Sequence, residues 1–262
     1  MEFNSIIFDK EDGAARIILN RPEALNAISS ELISELGVAV DDAEKDESIK
    51  VIVIAAKGRA FSAGADLKGM RGILSSPYEL EKFIRSWHRT FNKLEESTKV
   101  VICAVQGIAL AGGLELVNVC DIVIASDQAK LGDQHANFGL IPGGGNTQRL
   151  PRIVGSRKAK ELLLTGDWLS ATEAERIGLV NKVVPADKLE EAINEMVDKV
   201  IRNKSPLAAK AIKNLVNKGM QVDLYSALEL EIQAVLNHFR SEDIAEGIGA
   251  FEEKRIPVFK GR

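Results

Sequence analysis

Apolar and polar positions form two kinds of pattern along the chain, one typical of strands and one typical of helices. The alternation of these two patterns predicts an α/β protein. Residues 51–56 and 100–105 are continuous apolar runs, which are typical of strands covered on both faces of a sheet. Residues 29–45 and 76–96 instead carry apolar side chains at helical spacing, which predicts two amphipathic helices. Ser30 is the expected N-cap of the first helix, because a serine hydroxyl can accept a hydrogen bond from the opening turn.

The order of these elements repeats, which predicts a spiral of related turns rather than a closed barrel. A hairpin is predicted over residues 5–9 and 14–19, before the first buried strand. Each buried strand then leads into a small-residue turn, over residues 58–69 and 107–113, and the second turn leads into a helix predicted to begin at Leu114. Further short strands are predicted at residues 122–126 and 130–131.

The last part of the chain is predicted to be mainly helical. Helical spacing dominates residues 156–238, with an interruption near residues 178–184. We place a boundary near residue 200, which divides the chain into an α/β core over residues 1–200 and a helical region over residues 201–262. The apolar positions of this helical region that we expect to bury a subunit interface are Leu224, Leu228, Ile232, Val235 and Leu236.

Composition is that of an ordinary globular chain and excludes several classes of protein. The 262 residues carry a formal net charge of −4, with 27% charged and 45% hydrophobic residues, which excludes a disordered or nucleic-acid-coating chain. The three histidines lie far apart and form no zinc-site spacing, while Cys103 and Cys120 lie in apolar runs and are expected to be free thiols. Because no secretory signal pattern opens the sequence and no apolar run reaches the ~18 residues of a membrane span, we expect a cytoplasmic protein without a membrane partner.

The two small-residue turns are candidates for binding a developing negative charge. Residues 61–68 and 109–115 each follow a buried strand, and their small side chains leave backbone N–H groups open to a ligand. Two such donors would form an oxyanion hole, although ordinary strand-to-helix turns have the same composition. Glu115 lies just past the second turn, where it either complements the helix dipole or acts as a general base whose pKa an apolar pocket raises.

Two further features have weaker chemical interpretations. The glycine triplet at residues 143–145 fits neither the P-loop nor the GxGxxG spacing, so we expect a tight turn rather than a phosphate cradle. A basic stripe on the 76–96 helix is interleaved with glutamates, which favours a solvated face over a nucleic-acid site. The stripe consists of Lys82, Arg85, Arg89 and Lys93.

Separated motifs over essentially the whole chain resemble the enoyl-CoA hydratase/isomerase family, also called the crotonase family. They occur in the family's order and at family-like spacing. The motifs are RPEALNAIS (21–29), FSAGADLK (61–68), AVQGIALAGGLELVNVCDIVIAS (104–126), GLIPGGGNTQRLPRIVG (139–155), SATEAERIGLVNKVV (170–184) and AFEEKRIPVFKGR (250–262).

The resemblance implies an α/β crotonase-like fold, with a ββα spiral core and C-terminal helices that pack in trimers, often paired into hexamers. It also implies an acyl-CoA thioester substrate, whose carbonyl oxygen accepts hydrogen bonds from two backbone N–H groups that match Ala65 and Gly112. Of the family's two hydratase carboxylates, one matches Glu115 and the other falls on His135. A histidine can act near neutral pH as an acid, a base or a water ligand, or it can simply fill space beside the acyl pocket.

We therefore expect an enoyl-CoA hydratase, a hydro-lyase that adds water across the 2,3 double bond of a 2-enoyl-CoA through an enolate. Because His135 stands at the second glutamate position, a double-bond isomerase and a thioester hydrolase or lyase stay as alternatives, and a non-catalytic CoA-ester-binding or RNA-binding relative is less favoured. No cofactor or metal is expected beyond the CoA of the substrate, and no nucleic acid partner is expected.

The resemblance also places residues near the CoA moiety, besides the oxyanion pair. Phe251 and Lys254 are expected to contribute from a neighbouring subunit of a homotrimer or homohexamer. Lys254 carries the positive charge that a 3′-phosphate requires. The residues expected to contact CoA from within the chain are Ala24, Ala63, Asp66, Leu67 and Lys68.

Overall fold

The computed structural model describes residues 2–73 and 75–262, so residues 1 and 74 of the predicted core lie outside it. The strands are β1 (Ile6–Glu11), β2 (Ala14–Leu19), β3 (Val51–Ala56), β4 (Ala60–Ser62), β5 (Val100–Val105), β6 (Ile108–Leu110), β7 (Ile122–Ser126), β8 (Lys130–Gly132), β9 (Trp168–Ser170) and β10 (Lys182–Val184). The helices are α1 (Ser30–Lys45), α2 (Pro77–Glu96), α3 (Gly112–Val117), α4 (Asn146–Val154), α5 (Ser156–Thr165), α6 (Ala171–Arg176), α7 (Leu189–Ile201), α8 (Pro206–Gly219), α9 (Leu224–His238) and α10 (Glu242–Glu252).

The strands form a large sheet in the order β1-β2-β3-β5-β7-β10 and a small sheet in the order β4-β6-β8-β9. The β1–β2 hairpin is antiparallel, while the other neighbours in the large sheet are parallel. In the small sheet, β4, β6 and β8 are parallel and β9 is antiparallel. The pairs β3–β4, β5–β6 and β7–β8 each place one strand in either sheet, so the chain advances as a spiral of repeated units. The predicted α/β spiral is confirmed.

The central strands are buried on both faces of the large sheet, as their continuous apolar runs predict. Ile52 and Ile54 belong to the larger apolar cluster, together with α1 and α2. Val51 and Val53 belong to a second cluster, together with Ile193 of α7. Because successive strand residues point to opposite faces, one short run supplies both clusters.

Two local expectations were wrong. The N-cap of α1 is Ser29 rather than Ser30, since Ser29 has extended backbone angles and its hydroxyl accepts a hydrogen bond from Leu32 N at 3.1 Å. Residues 107–113 are not a simple turn, because they contain β6 and α3 already begins at Gly112. Small residues there allow close strand approach, since a Cβ on Gly107 would collide with the carbonyl oxygen of Arg59. The predicted interruption of the helical pattern at residues 178–184 is confirmed, and it contains β10, which pairs with β7 at the edge of the large sheet.

The helices after residue 201 attach to the core through α8. The Lys213 ammonium of α8 donates to the carbonyl oxygens of Leu94 and Lys99, both at 3.0 Å, and pairs with Asp121 at 2.8 Å. In contrast, α9 buries none of its side chains within this chain. Its residues Leu224, Leu228, Ile232, Val235 and Leu236 are all between 48% and 74% exposed. Within the part of the chain that the structure describes, no helix has the length and apolar character needed to cross a membrane.

Candidate active site

The turn after β4 is held in place by hydrogen bonds on both sides of Ala65. The N–H of Ile28 donates to Gly64 O at 2.7 Å, and the N–H of Asp66 donates to Ile28 O at 3.0 Å. Between these two bonds lies Ala65, whose own N–H has no acceptor among residues 2–73 and 75–262. The parallel bridge between Ile28 and Ala65 therefore fixes the position of this donor without using it.

Gly112 brings a second free N–H to the same place. It is the first residue of α3, where the backbone N–H has no partner within the helix. A Cβ on Gly112 would lie 3.4 Å from Ala65 N, and a Cβ on Gly64 would lie 3.3 Å from Gly112 N. Within the described part of the chain the Gly112 N–H also donates no hydrogen bond. The structure thus brings together the two donors that the sequence motifs match to an oxyanion hole.

Glu115 lies one turn further along α3, and its side chain is buried, with the whole residue 1% exposed. Its Oε1 accepts hydrogen bonds from the backbone N–H groups of Gly144 at 2.7 Å and Asn146 at 3.2 Å. Burial raises the pKa of Glu115, and these two donors and the nearby His135 charge offset that effect only in part. Such a carboxylate is suited to take up a proton near neutral pH.

Gly144, the middle residue of the glycine triplet at residues 143–145, and Asn146 directly after the triplet hold the Glu115 carboxylate. The chain bends at Gly144 and Gly145 directly before α4, and Gly145 has a φ of +119°, which side chains rarely adopt. The role of the glycine triplet was not predicted from the sequence. The group that accepts hydrogen bonds from the backbone before α4 is the Glu115 carboxylate of the protein itself, not a phosphate. A glycine-rich turn before a helix is the signal for such a site, because its N–H groups point outward.

Trp87 of α2 packs against the backbone of Gly112 and Gly144. Its indole ring lies so close to Gly112 and Gly144 that a Cβ on either residue would come within 2.5 and 3.1 Å of ring carbons. Phe83 and Phe91 hold the ring in edge-to-face contacts, with centroid distances of 5.7 and 5.5 Å. The sequence marked Trp87 only as one apolar position of a helical stripe, and nothing local distinguishes it from its neighbours.

His135 lies after β8, where its ring nitrogen Nδ1 is 2.8 Å from Asp133 Oδ1. The backbone N–H of His135 donates to the same oxygen at 3.0 Å. Burial alone would lower the pKa of His135, but Asp133 and the charge of Glu115 outweigh it, so this pKa is raised. Burial alone would raise the pKa of Asp133, but hydrogen bonds from His135 and Asn146 lower it. Asp133 and Asn146 were not among the predicted site residues.

The residues expected to contact CoA from within the chain lie around the turn after β4. The N–H of Ala63 donates to Leu25 O at 3.0 Å, which sets the 22–25 segment containing Ala24 beside this turn. Asp66 pairs with Arg21 at 3.1 Å, and the next two residues of the turn, Leu67 and Lys68, are exposed.

Phe251 lies in the last turn of α10 and is 84% exposed, and Lys254 lies two residues after the end of this helix. Among the described residues, neither forms a hydrogen bond or ion pair with the turn after β4. Their contribution from a neighbouring subunit stays a prediction. No group of three or more His, Cys, Asp or Glu side chains in the described chain could hold a metal ion.

Comparison with known proteins agrees with this geometry. The enoyl-CoA hydratase/isomerase family model matches residues 9–262. The chain is 40% identical to a short-chain-enoyl-CoA hydratase of Clostridium acetobutylicum, covering 100% of both chains. It is 39% identical to a crotonyl-CoA hydratase of Syntrophomonas wolfei, covering 99% of each. The crystal structure of an enoyl-CoA hydratase from Bacillus anthracis superimposes with a TM-score of 0.94 at 37% identity, covering 99% of this chain and 100% of that one. This chain therefore belongs to the enoyl-CoA hydratase/isomerase family and has the crotonase fold.

Proposed function

We propose that this chain is an enoyl-CoA hydratase that adds water across the 2,3 double bond of a short 2-enoyl-CoA thioester. The observation that carries the proposal is the buried carboxylate of Glu115 on the same short helix as Gly112, whose backbone N–H lies close to that of Ala65. The names of the two relatives support the reaction and the short acyl chain.

The two free N–H groups would stabilise the charge that forms during water addition. When the oxygen of water bonds to C3, the electron pair of the double bond moves toward the thioester carbonyl and forms an enolate. Donors at Ala65 and Gly112 would then hydrogen-bond the enolate oxygen more strongly than the neutral carbonyl. Because both N–H groups are already fixed by the fold, little reorganisation accompanies this step.

Glu115 and His135 would divide the proton transfers. The ionised Glu115 takes a proton from water as the new C–O bond forms, and the protonated His135 gives a proton to C2 of the enolate. After the product leaves, exchange with solvent returns Glu115 to its ionised form and His135 to its protonated form. The raised pKa of His135 favours its protonated starting state, and the raised pKa of Glu115 makes its carboxylate a stronger base toward the proton of water. Because oxidation states balance with water alone, no further cofactor is part of this proposal.

The CoA moiety would bind along the turn after β4, through Ala24, Ala63, Asp66, Leu67 and Lys68. The partial exposure of this turn supports that role, because the long nucleotide portion of CoA needs an open path. Phe251 and Lys254 would act across a subunit interface in a homotrimer or homohexamer, built by the helical region over residues 201–262. The exposed apolar face of α9 supports this assembly.

The same proposal includes a cytoplasmic location, which the two free cysteines, Cys103 and Cys120, support as thiols suited to a reducing compartment. The division of the chain at residue 200 is also part of it.

The test is the incubation of purified protein with crotonyl-CoA, followed by separation and mass analysis of the thioesters. A hydratase yields a product heavier by one water molecule, and Glu115→Gln, prepared in parallel, yields little of it. An isomer of unchanged mass from a 3-enoyl-CoA, or free CoA from thioester cleavage, would instead support one of the alternative family reactions. Unchanged substrate across a panel of enoyl-CoA thioesters would reject the proposal.

A further inference from the structure

Asp133 is a fully buried carboxylate beside the proposed proton-transfer pair, and within the described chain its hydrogen-bond partners are His135 and Asn146. Its Oδ1 contacts both the backbone N–H and the Nδ1 atom of His135, at 3.0 and 2.8 Å. Its Oδ2 accepts a hydrogen bond from the side-chain amide of Asn146 at 2.7 Å. Since burying an unpaired charge costs several kcal/mol, these contacts account for how the carboxylate is tolerated there.

Asn146 connects this carboxylate to Glu115. A carboxylate oxygen only accepts hydrogen bonds, so the amide nitrogen of Asn146 must face Asp133, and its oxygen then accepts from Asn118 Nδ2 at 2.7 Å. The backbone N–H of the same Asn146 donates to Glu115 Oε1 at 3.2 Å. One residue therefore orients Glu115 through its backbone and Asp133 through its side chain.

The contact with Asp133 also decides which nitrogen of His135 is available. Because Asp133 Oδ1 can only accept, Nδ1 of His135 must carry a hydrogen. The other ring nitrogen, Nε2, forms no hydrogen bond with any residue that the structure describes. Nε2 is thus the atom through which the ring can exchange a proton with a substrate. The charged groups that act on the ring are Asp133 and, from α3, Glu115.

We propose that Asp133 is a positioning residue that holds His135 with Nδ1 protonated and Nε2 free for proton transfer, and that Asn146 ties this pair to Glu115. His135 with Asp133 then does the work of a second catalytic carboxylate. The inference rests on the proposed hydratase function, but its tautomer prediction can be tested without activity.

The first test is Asp133→Asn, which keeps the size of the side chain and removes its charge. We expect kcat to fall about 10- to 100-fold with KM within about threefold, because binding groups are untouched while the proton donor is misoriented. The alkaline limb of the pH profile should move to lower pH, since the imidazolium loses its anionic partner. Asp127→Asn, the same change at an exposed carboxylate on the β7–β8 turn, should leave both parameters unchanged.

The second test combines Asp133→Asn with His135→Gln. If Asp133 acts through His135, adding Asp133→Asn to the His135→Gln protein should change kcat by less than about twofold, because interacting groups are not additive. An equal loss of activity in both backgrounds would show that Asp133 supports only the fold, and would overturn the proposal.

A measurement on the unaltered protein completes the test. Nitrogen-15 NMR of the imidazole rings, with His135→Gln used to assign the signal, should show His135 in the Nδ1–H form above its pKa. A predominant Nε2–H form would overturn the positioning role even if Asp133→Asn fails to fold. If no enoyl-CoA is hydrated, the proposed function fails while this tautomer measurement still decides the role of Asp133.

Discussion

The backbone N–H of Gly144 donates a 2.7 Å hydrogen bond to Oε1 of Glu115, and a Cβ at Gly144 would lie 2.5 Å from Oε2 of the same carboxylate. The glycine thus serves two purposes, since it supplies a donor and leaves the space that the acid occupies. The orientation of Glu115 depends on a loop 29 positions further along the chain.

Gly144→Ala should displace the Glu115 carboxylate, because the added methyl group would also come within 3.1 Å of the Trp87 ring, leaving no room to shift. We expect turnover of crotonyl-CoA to fall about 10²-fold, the scale of a lost proton-transfer group. Overpacking of this kind should also lower the free energy of unfolding by about 1–3 kcal/mol. Steady-state kinetics and thermal unfolding measure the two effects.

The matched control is Gly143→Ala at the preceding position, where the nearest atom to the added methyl group is an Ile84 carbon at 3.7 Å. This is ordinary van der Waals contact, so both activity and stability should stay close to those of the parent. Equal losses at Gly143 and Gly144 would show that the loop tolerates no side chain, and the contact of Gly144 with Glu115 would not explain the result.

Glu115→Gln should lower turnover by about 10²–10⁴ while acyl-CoA affinity changes little. The amide keeps the volume and can still accept hydrogen bonds from Gly144 and Asn146, but it cannot take a proton from water. Turnover is measured by product mass and affinity by calorimetry with a saturated acyl-CoA. Near-normal turnover in this variant would mean that another group is the base.

Ala65→Pro should remove one oxyanion donor without removing a structural hydrogen bond, because the Ala65 N–H is free among the described residues. The loss of such a donor costs about 3 kcal/mol of transition-state stabilisation, so the rate should fall about 10²–10³-fold. Ala63→Pro is the contrasting variant. It removes an N–H that donates to Leu25 O, and should lower the free energy of unfolding by about 1–3 kcal/mol. A folded Ala65→Pro protein with the parental rate would refute the assignment.

His135→Ala should lose about 10²-fold of hydratase activity and flatten one limb of the pH profile. If the protonated ring donates to C2, activity falls as pH rises through the raised pKa of His135, while the acid limb follows the raised pKa of Glu115. If the neutral ring instead held the attacking water, activity would fall as pH drops through the His135 pKa. An alanine variant within about threefold of the parent would make His135 a residue that only shapes the pocket.

Light scattering in dilute buffer should show a particle of at least three times the 28.5 kDa chain mass. The reason is the apolar face of α9, where Leu224 and Leu236 are 74% and 58% exposed and contact with a second copy would remove them from water. Ile232→Asp should reduce the particle mass by placing a charge in that contact. A monomer of the parent protein would also remove Lys254 from its expected role at the CoA of a neighbouring subunit.

Local sequence patterns predicted most elements of the core because burial in a strand or helix leaves a period in the chain. The runs at residues 51–56 and 100–105 became β3 and β5 with unchanged bounds, and the stripe at residues 76–96 became α2. The misplaced N-cap at Ser30 and the missed strand β6 have one cause. Either serine of the pair at residues 29 and 30 can cap a helix, and a run of small residues can form either a turn or a closely packed strand. The rest of the fold decides which of these structures forms.

The sequence by itself determined the family, the α/β order of elements and Glu115 as the candidate base, because each of these depends on motifs of contiguous residues. Only the tertiary structure decided that Ala65 meets Gly112, that Gly144 holds Glu115, and that Asp133 directs His135. The physical reason is that these contacts join residues from different loops. How closely the loops come together depends on the packing of the two sheets, which produces no periodic pattern in the local sequence. A buried carboxylate needs hydrogen-bond donors, and the fold rather than the neighbouring sequence places those donors beside it.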